Sequence, residues 1–274
     1  MAQQINPVPA PSIQLEESDV HIWWVSLAPR AETLVEWRAL LSADEQSRAE
    51  RYYFERDRVR FIAGRAFLRI HLGAYLGVDP ASLVFDYSPL GKPALKMTVE
   101  GRTLLFNFSN SADRALAVFH WQQPLGVDLE WLHPMPDEDG FARQFFCAAE
   151  IALLGSRKGM AKRKTFFELW TCKEALLKAM GDGLNRPINE VEVLLEGGTA
   201  RLVSIAGDPA PASAWQLTLF RPAPGFQAAL ATTVSDGPKA VRLEFFDAAG
   251  DLRLDKDTGH RNHHPRVSEN MPFA

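Results

Sequence analysis

From about residue 20 the chain alternates short apolar runs with longer segments of helical period. Residues 20–27 are almost wholly apolar and read as a first strand. Ser42 followed three residues later by Glu45 forms a capping box, which predicts a basic helix running to about Tyr53. A second helix is expected from about Asp57 to Leu76, with Gly77 as its stop. Short strands follow at residues 83–85, 94–96, 104–107 and 115–119, separated by Gly, Pro, Asn and Asp. Residues 125–130 then restart the pattern. A helix is expected over 147–154, then a basic loop at 157–164 and a strong helix over 166–180. Strands follow near 191–195, 215–220, 228–233 and 241–246.

Helices followed by strands, twice over, predict an α+β fold made of two similar halves related by a pseudo-twofold axis, with the active site in the cleft between them. The halves are placed at residues 20–122 and 123–246, between a flexible arm at 1–19 and a polar tail at 247–274. A length of 274 residues suits two modest domains, and 46% hydrophobic with 23% charged residues suits a real core. The net charge of −4 and the pI near 6.0 argue against a nucleic-acid binder. No apolar run reaches membrane-spanning length and the first residues lack a signal-peptide pattern, so a cytoplasmic protein with no membrane partner is expected. Cys147 and Cys172 have no CxxC partner and read as free thiols. His260, His263 and His264 in the tail read as solvated bias rather than metal ligands.

Two segments carry candidate chemistry. Asp128 and Glu130, two apart on a strand, project from one face while Val127 and Leu129 turn to the core. Like charges so placed repel, and a hard cation with a preference for oxygen ligands relieves the repulsion. A solvent-facing Asp-x-Glu is also an ordinary surface feature. In the later helix Leu169, Cys172, Leu176 and Met180 form an apolar stripe, while Trp170, Glu174 and Lys178 stack on another face. By itself the Glu174 and Lys178 spacing describes a plain surface ion pair.

The two segments together say more. Gly126-Val127-Asp128-x-Glu130, then about forty residues, then Trp170-Thr171-x-Lys173-Glu174-Ala175-x-x-Lys178 closely resembles the signature of the 4'-phosphopantetheinyl transferase superfamily. Leu41-Ser42-x-x-Glu45, Arg51-Tyr52-Tyr53, Arg60-Phe61-x-x-Gly64-Arg65, Gly91-Lys92-Pro93 and Phe106-Asn107-Phe108-Ser109 fall in the order of its two-halved, monomeric Sfp-type branch. The resemblance spans about residues 20 to 245. It implies an enzyme that moves the phosphopantetheine arm of coenzyme A onto a serine of an apo acyl, polyketide or peptidyl carrier protein and releases adenosine 3',5'-bisphosphate. It further implies Mg²⁺ held by Asp128, Glu130 and Glu174, with Glu174 taking the serine proton directly or through a water and Lys178 stabilising the phosphorus and the leaving group. Glu150 matches a further acidic position, as an accessory metal or carrier-side residue or as a plain helix-surface glutamate.

For coenzyme A the first half supplies the cations. Arg48, Arg51, Arg56, Arg58, Arg60, Arg65 and Arg69 crowd into two helices. The resemblance singles out Arg60, and Arg48 with it, for the 3'-phosphate, and Lys92 in its Gly-Lys-Pro turn for the nucleotide. Ser109 and Asn110 match the pair that contacts the phosphates, but Asn110 stands where the family usually has a histidine. An amide donates a hydrogen bond there without carrying charge. His71, His120 and His133 match no catalytic spacing. The basic stretch 157–164 would steer acidic carriers or be a solvated loop. The alternative to the enzyme is a non-catalytic module of the same fold that holds coenzyme A or a carrier; a metal-dependent phosphohydrolase is a third reading.

Overall fold

In a computed structural model, residues 14–88, 91–181, 186–234 and 241–248 are described. The expected N-terminal arm up to residue 13, the tail beyond residue 248 and its histidines lie outside them. The first half contains β1 (Asp19–Ser26), α1 (Ala31–Leu40), α2 (Ala43–Glu50), α3 (Glu55–Leu76), β2 (Phe85–Tyr87), β3 (Pro93–Leu95), β4 (Thr98–Val99), β5 (Arg102–Ser111) and β6 (Arg114–Trp121). The second contains β7 (Leu125–Trp131), α4 (Glu138–Phe145), α5 (Ala148–Gly155), α6 (Gly159–Met180), β8 (Val191–Glu196), β9 (Thr199–Ile205), β10 (Trp215–Phe220) and β11 (Phe226–Thr233). A last strand, β12 (Arg242–Ala248), does not complete the second half as its position in the chain suggests. It pairs parallel to β1 and becomes the edge of the first sheet, in the order β12-β1-β6-β5-β4.

Alternation along the strands sorts side chains into layers. Trp23, Val25, Ala117 and Phe119 face α3 and join Phe67 and Leu72 in one core. Val20, Ile22, Leu116 and Val118, on the opposite face of the same strands, meet Val127, Leu129, Ala228 and Leu230 of the sheet β10-β11-β7. Ala229 and Ala231 face the other way, onto α6 with Leu169, Cys172 and Leu176. The result is a helix, two sheets face to face and a second helix. The apolar stripe read from Leu169 and Cys172 is therefore core, and both cysteines are free.

One device recurs in each half. Glu45 and Glu150 each sit at the third position of a short helix and accept the backbone N–H of the cap residue, Ser42 or Cys147. Each is then buried against a base on the long helix that follows: Arg69 Nε lies 2.7 Å from Glu45, and Lys173 Nζ lies 2.6 Å from Glu150. Both bases are the fifteenth residue of a 22-residue helix. Each also donates to backbone carbonyls, Arg69 to Pro80 and Leu83, Lys173 to Ile188. A buried ion pair is tolerated when hydrogen bonds use up its remaining donors, as here. Glu150 is therefore neither an accessory metal residue nor a surface glutamate; it is a buried anchor between α5 and α6.

Two expectations change. The basic loop at 157–164 largely becomes the first turns of α6, because Lys162 and Arg163 pair with Asp139 and Glu138 of α4 and Lys164 pairs with Glu168. α1 and α4 were not read as helices: α1 shows no clean apolar period, but α4 places Phe141 and Phe145 four apart behind an Asp137 cap, and that signal was missed.

Gly126 shows how closely α6 lies on β7. A Cβ there would stand 2.1 Å from the Ala175 carbonyl oxygen and 2.4 Å from the Ala179 nitrogen. These are backbone atoms of a packed helix and cannot move aside. Gly126→Ala is expected to destabilise the fold by about 3 kcal/mol, the upper end of ordinary overpacking. Chemical denaturation checks this, and an unchanged midpoint would contradict the packing described.

Candidate active site

Among the described residues β7 is an edge strand: β11 pairs with one side of it and no strand pairs with the other. The N–H groups of Val127, Leu129 and Trp131 point to that open side, where buried donors need acceptors. β5 supplies them from side chains. Val127 N donates to Asn107 Oδ1 at 2.9 Å, Leu129 N to Ser109 Oγ at 3.3 Å and Trp131 N to Ser111 Oγ at 2.9 Å. Two-residue spacing on β5 thus meets two-residue spacing on β7, and the halves are joined by a ladder with one strand's backbone and the other's side chains.

The same hydroxyls hold the carboxylates. Ser109 Oγ donates to Asp128 Oδ1 at 2.9 Å, and Ser111 Oγ donates to Glu130 Oε2 at 3.0 Å. From α6, Lys178 Nζ lies 2.6 Å from Asp128 Oδ1 and 3.0 Å from Ser109 Oγ. Trp170, two turns earlier on the helix, hydrogen-bonds Glu130. Glu174 lies between them, within electrostatic reach of Lys178 and Asp128. Lys92 crosses from the first half and donates to the Lys178 carbonyl oxygen.

Burial governs the charge here. Burial first, and the neighbouring Asp128 second, push the Glu130 carboxyl up to about 7. Burial likewise raises Glu174 above its ordinary value, and it lowers Lys92, as does nearby Lys178. Asp128 Oδ2 is buried and accepts no hydrogen bond among the described residues. A buried carboxylate oxygen with no donor is costly. This orphaned oxygen, beside two carboxyls that burial disfavours as anions, fits a hard cation bound by oxygen ligands. Among the described residues, one group brings three donor atoms within 4.8 Å of one another, and it lies elsewhere: Asp19, His21 and Glu244. There Arg242 already bridges Asp19 and Glu244.

The structure therefore brings together Lys92, Ser109, Asp128, Glu130, Glu174 and Lys178. It leaves three expected residues apart. Asn110 is exposed and faces the α3 side of β5, opposite to Ser109, as strand alternation requires. Arg48 stacks on Phe61 at 5.4 Å, and Arg60 pairs with Asp57 at 3.5 Å. Asn107 and Ser111 complete the cluster and were missed as site residues, although their spacing around Ser109 was the available signal.

The Glu130 shift sets a stability test. With a folded-state value near 7, above the ordinary carboxyl value of 4.5, Glu130 keeps its proton when folded and loses it when unfolded between those pH values. Metal-free protein should therefore lose stability as pH rises from about 4.5 to 7. Glu130→Gln should raise Tm at pH 8 by about 2–8 °C and change it little at pH 4.5. Calorimetry in chelator checks both, and an equal effect at the two pH values would contradict the buried carboxyl.

Comparison with known proteins agrees with this geometry. A family model described as the 4'-phosphopantetheinyl transferase superfamily matches residues 124–233, and one described as 4'-phosphopantetheinyl transferase, N-terminal, matches residues 25–120. The 4'-phosphopantetheinyl transferase HetI of Nostoc sp. (strain PCC 7120) is 43% identical over 68% of this chain and 78% of its own. The phosphopantetheinyl transferase of Thraustochytrium sp. is 29% identical over 64% of this chain and 65% of its own. The 4'-phosphopantetheinyl transferase Sfp of Bacillus subtilis (strain 168) is 22% identical over 76% of this chain and 89% of its own. With the joined halves, the carboxylate cluster and these matches in agreement, the chain belongs to the 4'-phosphopantetheinyl transferase superfamily.

Proposed function

We propose that the protein transfers 4'-phosphopantetheine from coenzyme A to a serine of an apo acyl, polyketide or peptidyl carrier protein, in the presence of Mg²⁺, and that it acts as a monomer. The observation that carries this reading is the orphaned Asp128 oxygen, set among Glu130, Glu174 and Lys178 where Lys92 reaches in from the other half.

Asp128, Glu130 and Glu174 would hold the cation, which when bound offsets charge on the pyrophosphate. Ser109 and Ser111 keep the first two carboxylates aimed through the hydrogen bonds they donate. Glu174, whose raised value brings it closer to neutral pH, accepts the proton of the carrier serine as the serine oxygen attacks the phosphorus attached to pantetheine. The bond from that phosphorus to the bridging oxygen breaks, and adenosine 3',5'-bisphosphate leaves. Lys178 stabilises charge on the phosphorus and the leaving group, and Lys92, reaching into the same cleft, holds the nucleotide. The 3'-phosphate falls to Arg60 and Arg48 on the α3 side, where exposed Asn110 offers an amide donor without charge. Arg157 and Lys158, exposed just before α6, are the part of the basic stretch left to attract an acidic carrier. No helix among the described residues is long and apolar enough to cross a membrane.

Incubation with coenzyme A, Mg²⁺ and a panel of apo-carriers, read by intact mass, should give a carrier gain of one phosphopantetheine. Asp128→Ala and Glu174→Ala should each lower the rate by about 100-fold or more. Transfer to no carrier would favour the binding-module reading, and hydrolysis of coenzyme A without a carrier would favour a phosphohydrolase.

A further inference from the structure

Arg65 lies in the middle of α3, away from the carboxylate cluster, and its side chain is only 9% exposed. Its guanidinium carbon stands 5.6 Å from the Phe61 ring centre, 5.5 Å from Phe85 and 5.4 Å from Tyr87. Hydrogen bonding does not explain it. Glu45 Oε1 is 3.9 Å from Nε, beyond hydrogen-bond length, and the bonds that Arg69 and the Ser42 N–H donate go to the other oxygen, Oε2. Nη1 is buried without a hydrogen-bond partner among the described residues. Leaving a buried charged donor unmade is costly, and a methionine of similar length would fill the space without that cost. What the cation adds is attraction to ring faces.

Two of the three rings belong to one small element. Phe85 and Tyr87 are the first and last residues of β2, which among the described residues pairs only with β3 in a two-stranded hairpin. Such a hairpin is marginal unless something anchors it. Tyr87 pairs with Pro93, and the turn closes directly beyond it: Ser88 N donates to the Lys92 carbonyl, and Lys92 N donates to Ser88 Oγ. The side chain of Lys92 then crosses to Lys178.

We infer that Arg65 is a positioning residue: by holding Phe85 and Tyr87 it fixes the β2–β3 hairpin where Lys92 reaches across the cleft. The inference rests on the proposed role of Lys92 toward coenzyme A. Arg65 itself would touch no substrate.

The test compares Arg65→Met, Lys92→Met and the double variant, with coenzyme A affinity measured by calorimetry and KM and kcat by carrier transfer. Arg65→Met should keep its Tm within a few degrees, weaken coenzyme A binding and raise its KM by about 5- to 30-fold, and leave kcat within about threefold. The double variant should bind no more weakly than Lys92→Met alone, because both changes remove the same contact. Arg65→Lys, which keeps a cation among the rings, should restore most of the affinity. If Arg65→Met does not fold, Tyr87→Leu should show the same KM rise at unchanged kcat. Unchanged coenzyme A affinity in the variant that folds overturns the inference. So do multiplying losses in the double variant, which would mean that Arg65 acts by its charge alone. In both cases transfer by the unaltered chain leaves the proposed function standing. An unaltered chain that neither binds coenzyme A nor transfers would overturn both.

Discussion

The open edge of β7 is the constraint on which the site depends. A buried strand edge must find acceptors, and here they come from Asn107, Ser109 and Ser111 rather than from a neighbouring backbone. A backbone partner would have merged the sheets and left no side chains between them. Side-chain acceptors keep the sheets separate and place hydroxyls beside Asp128 and Glu130. Register between the halves and aim of the carboxylates are thereby one property, set by the same atoms.

Duplication is visible in what the halves share and in where they part. The capping glutamate and its buried base recur at matching helix positions. One residue later on each long helix, the second half has Glu174 and the first has Ile70; four further on stand Lys178 and Ala74. On the facing strand the first half offers Trp23, stacked on Phe246 at 4.6 Å and set edge-on to His71 at 4.3 Å. The same architecture is closed by hydrocarbon and aromatic packing in one half, while the other keeps its carboxylates and a lysine.

Much of this was legible because it is local. Strand alternation put Asp128 and Glu130 on one face, helical period put Trp170, Glu174 and Lys178 on another, and glycine marked the ends of α3 and α6. The order of the two segments carried the resemblance. What stayed hidden depends on contacts distant in sequence. The burial of Glu150 is set by Lys173, the helical state of residues 159–164 by ion pairs to α4, and the role of Ser111 by a strand 20 residues on. Asn110 was read as the neighbour of Ser109, but adjacent strand residues face opposite ways.

The parallel pairing of β1 with β12 also shapes how the chain can fold. Arg242 reaches Asp19 across 223 residues of sequence, and β12 enters the first sheet after the second half has been made. Contacts so far apart close late, because loop entropy must be met before they form. During synthesis the first half therefore emerges with the β1 edge of its sheet unpaired. Phe246, the residue that stacks on Trp23, arrives only when nearly all the described chain is present. The half that begins first is the half that finishes last, and its unfinished edge is where misassembly would start.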